Sequence, residues 1–456
     1  MNIKIVTYII LVLIILLLFL LRYSHNINMF MLNAIIVMRG ILQPNCFWWK
    51  ISELFVKDSS GIQLYNKLKK IYGSFAPITM FNKKIYLVTN NKYITTILNN
   101  SPHIFGVGTL KFTFFKSFME KNVGVSQGCP WKRRRQLNEK VLTTDNIPIY
   151  SKKYNNDIII QLNKYSKKNY FNFHTFTDIG KIMVSKIVFN ENKICDEIFS
   201  MFSNANSISV FYDSNFKINP KIFNKYNTFL KKHIRNPNPQ SLVKLCTQYE
   251  FNENEIFHQI PHFIFPIAGL YNSTIPRTIL LLYNHPKIFR KVINEIKSIN
   301  LKNKHSYYEI YKLSYLRKCI LETVRLNNPV VTTFRTLLKD FTFDSQYTFK
   351  KDTQFVILNN PVLREADYFI NPNKFIPSRW TPTMEKSYYS ISFNQGPQKC
   401  PGKELSIFLC QSFIVHFFEK VGILENYKMI KSNKINTNNI PQMINPCNIR
   451  FTIKQQ

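Results

Sequence analysis

Acid is scarce in this sequence. Across 456 residues, 26 Asp and Glu face 61 Lys and Arg, a formal charge of +35. Such an excess invites a nucleic-acid or anionic-membrane partner. The sequence lacks the long basic run or motif that nucleic-acid binding uses, and its basic residues are interleaved with Asn and Ile. A Lys/Asn/Ile-rich composition accounts for the charge, so no nucleic-acid partner is expected. An acidic redox partner or acidic lipid surface would still feel the field. Cysteine pairs are missing too. The eight cysteines stand at 46, 129, 195, 246, 319, 400, 410 and 447 with no C-x-x-C spacing, so neither a zinc site nor a disulfide framework is indicated. Reduced, mostly buried thiols in a cytosol-facing domain are the expectation. A G-x-G-x-x-G nucleotide fingerprint, an internal repeat and a low-complexity linker are all absent.

Long apolar runs are confined to the start. Ile3 to Leu21 is broken only by Lys4, Thr7 and Tyr8, close to the ~20 residues that span a bilayer. No A-x-A-like cleavage site follows, which favours a retained anchor over a signal peptide. Arg22, Arg39 and Lys50 against the single Lys4 orient the body toward the cytosol. Met29 to Met38 is too short to span and suits an interfacial or packed segment. The expected organisation is an anchor at 1–22, a linker or interfacial segment at 23–55 and a catalytic domain at 56–456.

Beyond the linker the pattern is globular. Leu64 to Gly73 reads as a helix ended by glycine, Pro77 to Thr89 as a strand pair, and Asn91 to Leu98 as a helix. Ser101 to Pro130 is aromatic and reads as irregular, and Trp131-Lys-Arg-Arg-Arg135 opens a helix. Residues 150 to 253 alternate polar helical stretches with aromatic clusters. Glu253 to Tyr283 reads as a long helix that Pro261, Pro266 and Pro276 must start, kink or break. His258 and His262 stand at zinc-ligand spacing, but Pro261 and the lack of a third ligand favour solvated or core histidines. A strand is expected at Val330–Thr336 and a hairpin within Phe341–Leu358.

The chemistry converges on Phe393-Asn-Gln-Gly396-Pro-Gln398-Lys-Cys400-Pro-Gly402. It is a tight loop delivering one cysteine to the start of a helix, with glycines that permit close approach and Pro401 where a first-turn proline is tolerated. A thiol there is biased toward thiolate by the helix dipole and suits an axial haem ligand; the plainer alternative is a buried free cysteine in a turn. Glu322-Thr-Val-Arg325 places acid and base three apart on one helix face. Phe375-Ile-Pro-Ser-Arg379-Trp380 follows, near enough to complete an ion-pair knot.

Taken in order, these three motifs resemble the cytochrome P-450 family of haem-thiolate monooxygenases, from about Leu64 to Phe417. The resemblance implies a mainly α fold with a small β subdomain, here preceded by one N-terminal transmembrane helix. It implies haem b (iron protoporphyrin IX) with Cys400 as iron ligand, Phe393 beside it, and Gly396 and Gly402 letting the loop approach the metal. Trp131, Arg135 and Arg335 match the family's propionate contacts, and Glu322, Arg325 and Arg379 its structural knot. Two departures stand out. Gln398 replaces the usual Arg or His, and Ala268-Gly269-Leu270 is followed by Tyr271-Asn272-Ser273-Thr274 instead of acid–Thr. Asn272 takes the threonine position unless a local bulge brings in the Ser273 or Thr274 hydroxyl. Electrons would come from NADPH through a separate flavoprotein reductase, and the substrate would be lipophilic, a sterol or fatty acid. Two alternatives stay open: a hydroperoxide rearrangement or peroxygenase enzyme needing no reductase, and a haem- or lipid-binding protein without turnover.

Overall fold

The computed structural model describes residues 60–452, with 46 and 49, apart from 81–82, 168–169, 206–216, 300–305, 421–430, 433–438 and 441. The expected anchor at Ile3–Leu21 and the Met29–Met38 segment lie outside the described residues. Among those residues, no helix is long and apolar enough to cross a membrane.

The sheet unit is built first. Helix α1 (Ile62–Tyr72) buries Leu64, Tyr65 and Leu68 on one face and stops where Gly73 turns to φ 67°. Strands β1 (Phe75–Met80) and β2 (Lys83–Val88) pair antiparallel from Phe75↔Val88 to Met80↔Lys83. Helix α2 (Asn91–Asn99) is capped by the Asn90 side chain, which accepts from the Lys92 N–H. The Ser101–Pro130 region departs from the irregular reading. It forms strand β3 (Phe105–Val107) and helix α3 (Thr109–Met119). Leu110, Phe114 and Phe118 recur every fourth residue along α3 and are buried, a helical period that the surrounding aromatics hide.

The helical body follows with α4 (Gly128–Val141), α5 (Ile147–Ser166), strand β4 (Tyr170–Asn172), α6 (Phe173–Phe189), α7 (Asp196–Ala205) and α8 (Pro220–Arg235). The long proline-bearing helix is real but has two α segments, α9 (Glu253–Gly269) and α10 (Ile275–Tyr283), joined by one π-helical turn at Leu270–Thr274. Then come α11 (Pro286–Ser298) and α12 (Ser314–Leu326).

Strand β5 (Thr332–Leu337), the hairpin β6 (Phe341–Phe343) and β7 (Tyr347–Phe349), and β8 (Gln354–Leu358) complete the sheet unit. Its five-stranded order is β1-β2-β8-β5-β3, with β2 and β8 parallel and the other pairs antiparallel. Helix α13 (Lys403–Lys420) runs from the cysteine loop through the body, and β9 (Lys431–Ser432) and β10 (Arg450–Thr452) join β4. Two cores result. One lies among the helices, around α5, α6, α9, α10 and α13; the other fills the sheet unit, where Phe75, Tyr93, Phe343, Phe349 and Phe355 meet ring to ring. Each of these rings that is fully buried is worth roughly 1.5–3 kcal/mol in burial alone.

One cysteine expectation is corrected. Cys46 and Cys447 form a disulfide across 401 residues of sequence, while the other six remain thiols. No local spacing announces it, because only the folded chain brings the two ends together. Close by, Trp49 is almost fully buried with Arg277 of α10 lying 5.7 Å from its ring centre.

Candidate functional site

A cavity of about 1160 Å³ lies where the two units meet. That exceeds the roughly 300–1,000 Å³ that holds one drug-sized ligand, leaving room for a large planar group and a second molecule. Cys400, Phe393 and Gln398 line it from the cysteine loop, Trp131 and Arg135 from α4, and Arg335 from β5. Asn272, Ser273 and Thr274 line it from the π turn.

The cysteine loop is held by its own backbone. The Cys400 N–H donates to the Phe393 carbonyl at 2.8 Å, Lys399 N–H to the Gly396 carbonyl at 3.1 Å, and the Asn394 side chain to the Gln398 carbonyl at 3.2 Å. Cys400 is half-buried and opens onto the cavity. Burial pushes its thiol up, and the Gly402 backbone with the charges of Arg135 and Lys403 acts in the opposite direction. Burial thus opposes the thiolate form that the helix start favours, and a cation against the sulfur would shift the balance toward it. The two glycines of the loop differ in what surrounds them. Gly396 sits at φ 69°, and a Cβ there would stand 2.4 Å from the Leu98 carbonyl oxygen, so its bareness admits the backbone of α2. A Cβ on Gly402 would meet only Leu142, at an ordinary 3.6 Å. Neither glycine lines the cavity.

The π turn has a chemical cause. Pro276 has no N–H to offer the Asn272 carbonyl, and the Ile275 N–H reaches back five residues to the Leu270 carbonyl. One extra residue enters the turn, and three consecutive side chains reach the cavity. The Ser273 hydroxyl accepts from Arg277 at 2.5 Å. The Asn272 side-chain oxygen is buried with no hydrogen-bond partner, a vacancy a polar ligand atom would fill. Tyr271, at the position of the family's acid, turns away into the core and shares a hydrogen bond with the Tyr154 hydroxyl.

Arg135 donates to Glu139 and to the Lys399 carbonyl, tying α4 to the cysteine loop. Arg335 donates to Ser101 at 2.9 Å and to the Phe334 carbonyl at 2.8 Å, and burial lowers it to about 10. Lys111 and His262 also line the cavity, and sequence reading assigned neither to it. The four-residue histidine spacing found no metal partners: among the described residues no group of three or more His, Cys, Asp or Glu is placed to hold an ion. Lining cations, a tryptophan, a cysteine sulfur and an orphaned amide together fit a large prosthetic group with anionic edges and a thiol-binding metal.

The knot lies outside the cavity and is complete. Arg325 grips both Glu322 oxygens at 2.9 Å, Arg379 adds a bond at 3.0 Å, and the Trp380 indole N–H another at 2.9 Å. The Ile376 N–H donates to the same carboxylate, and Arg325 also donates to the Leu363 and Pro372 carbonyls. Glu322 and Arg325 are fully buried. Burial works to raise the Glu322 carboxyl, and the two arginines with the Ile376 backbone outweigh it and hold it low.

A mainly helical body with a small sheet unit, a cysteine loop and a bent helix sharing one cavity define the class. Residues 241–429 match the family model for Cytochrome P450. The chain resembles beta-amyrin 16-beta-monooxygenase of Platycodon grandiflorus, 27% identical over 176 residues, 38% of this chain and 36% of the relative. Cytochrome P450 4g1 of Drosophila melanogaster is 29% identical over 182 residues, 37% and 33% of the two chains. Beta-amyrin 6-beta-monooxygenase of Solanum lycopersicum is 28% identical over 204 residues, 43% and 42%. The chain spans about a third to two fifths of the length of these curated relatives. Over residues 241–429 it is similar to the cytochrome P450 family.

Proposed function

We propose that this protein is a haem-thiolate monooxygenase that inserts one oxygen atom of dioxygen into a lipophilic substrate such as a sterol or fatty acid. The net reaction is R–H + O2 + NADPH + H+ → R–OH + H2O + NADP+, with both electrons entering through a separate flavoprotein reductase. The supporting observation is a single cavity lined by Cys400 and by the Asn272–Thr274 turn. Haem b, when bound, supplies the redox and oxygen chemistry. Cys400 would ligate its iron as thiolate, and Trp131, Arg135 and Arg335 would hold its carboxylates. Asn272 would orient a polar atom, and the Ser273 and Thr274 hydroxyls would pass protons. The reading includes an anchor at residues 1–22, a linker at 23–55 and a catalytic domain at 56–456 on the cytosolic side of an endoplasmic-reticulum-like membrane.

A second reading rests on the orphaned Asn272 amide and on the tyrosine where an acid would stand. An amide can hydrogen-bond a peroxide but relays protons poorly, which suits rearrangement of lipid hydroperoxides without a reductase. The reduced, carbon monoxide-bound spectrum of wild type and Cys400→Ser tests the shared part. A thiolate-type spectrum lost in the variant is expected; one retained unchanged removes both enzyme readings. Product formation that requires NADPH and reductase then separates the first reading from the second.

A further inference from the structure

The cavity holds a cation that the proposed haem site does not use. Lys111 lies on α3, and its Nζ is 3.3 Å from where a Gly124 Cβ would stand; His262 Cε1 is 3.5 Å from the same point. Ammonium and imidazole thus flank one glycine, and all three line the cavity. Neither side chain has a hydrogen-bond or ion-pair partner among the described residues. Burial and Arg335 hold Lys111 down at about 8, and burial with Lys111 and Arg135 holds His262 at about 4. A cation so placed is costly until an anion reaches it, and a neutral imidazole beside it can donate a second hydrogen bond. The same cavity continues along Phe199, Phe202, Ile222 and Phe265, an apolar path for a chain. Arg335, and Arg135 with Trp131, already match the two haem carboxylates in number, so Lys111 is surplus to them.

We propose that Lys111 and His262 form a subsite for the carboxylate of an aliphatic-acid substrate whose tail lies along those aromatic residues. The proposal rests on the haem-thiolate reading for what happens to that substrate, though not for its binding. Charge-assisted hydrogen bonds in such a site discriminate an acid from its ester by at least ~10-fold.

The test is calorimetric titration of the full-chain, haem-loaded protein with dodecanoate and with methyl dodecanoate. Haem per chain and the carbon monoxide spectrum are recorded alongside. Wild type should prefer the acid by about tenfold or more. Lys111→Gln should abolish that preference at unchanged ester affinity, and Lys111→Arg should restore it. Should Lys111→Gln not fold, Gly124→Ala is the second variant; its methyl crowds Asn122 and Lys111 and should weaken the acid selectively. Equal affinity for acid and ester in wild type overturns the subsite, even where a normal spectrum leaves the haem-thiolate reading standing. So does an acid preference retained in Gly124→Ala. Loss of haem in Lys111→Gln with the acid preference kept also overturns it, by assigning the lysine to the haem carboxylates.

Discussion

Arg277 and Ser273 form a buried charge-to-hydroxyl pair one turn apart on the distal helix, with Nη1 donating to Oγ at 2.5 Å. The arginine is fully buried and also donates to the Ile444 carbonyl at 2.8 Å. Because Ser273 accepts from a cation, its own proton stays available to the cavity and becomes easier to give up.

That pairing predicts which hydroxyl matters. Ser273→Ala should lower product per NADPH consumed by ~10-fold or more, the scale on which a positioned proton donor acts. Thr274→Ala should cost less, and Asn272→Thr should improve coupling. Measuring product and peroxide against NADPH for the three variants checks the order. Wild-type turnover of lipid hydroperoxides without reductase, indifferent to both hydroxyl deletions, would favour the rearrangement enzyme.

Glu322 governs folding. Removing it in Glu322→Ala strands Arg325 in the core, and breaking a buried pair costs ~3–5 kcal/mol. Little folded holoprotein should be recovered. Because the folded carboxyl titrates below its ordinary value of ~4.3, its contribution is full above that pH and is lost as pH falls through the folded value. Glu322→Gln should therefore flatten the acid limb of stability against pH, read by haem release or circular dichroism.

How far the sequence carried differs by element. The knot was legible because acid and base lie three apart on one helix and Arg379-Trp380 follows in order. The cysteine loop was legible from Gly396, Cys400 and Gly402, yet the reason for Gly396 was not. Its missing Cβ makes room for Leu98, about 300 residues earlier, and only tertiary structure brings them together. Lys111 and His262 escaped for the same reason. The bulge near Ser273 stood as one of two alternatives in the sequence, and its cause, Pro276, lies within the same stretch of helix.

Gly396→Ala tests that contact. A left-handed φ costs an L-residue ~1–2 kcal/mol, and the methyl would strike a carbonyl within a helix. The loop should shift and the yield of holoprotein should fall well below wild type, whereas Gly402→Ala should be tolerated. Comparing haem content of the two purified variants decides it.

The disulfide bears on topology. Alkylation of the denatured protein should label six thiols without reductant and eight after reduction. Eight without reductant would show that the pair stays reduced. Protease protection in sealed microsomes reads the orientation independently.

The π turn separates what the distal helix shows the cavity from where the rest of that helix sits. Its extra residue is taken up by the wider turn, so the helix beyond keeps the phase in which Arg277 meets Trp49 and Ile444. Deleting one residue between Leu270 and Thr274 would let the turn close into ordinary α register. A π turn winds its extra residue into nearly the same rotation, so Arg277 would stay near both partners while one side chain fewer reached the cavity. Such a deletion should therefore spare the helix beyond the turn and change the site, because it alters which side chains face the cavity.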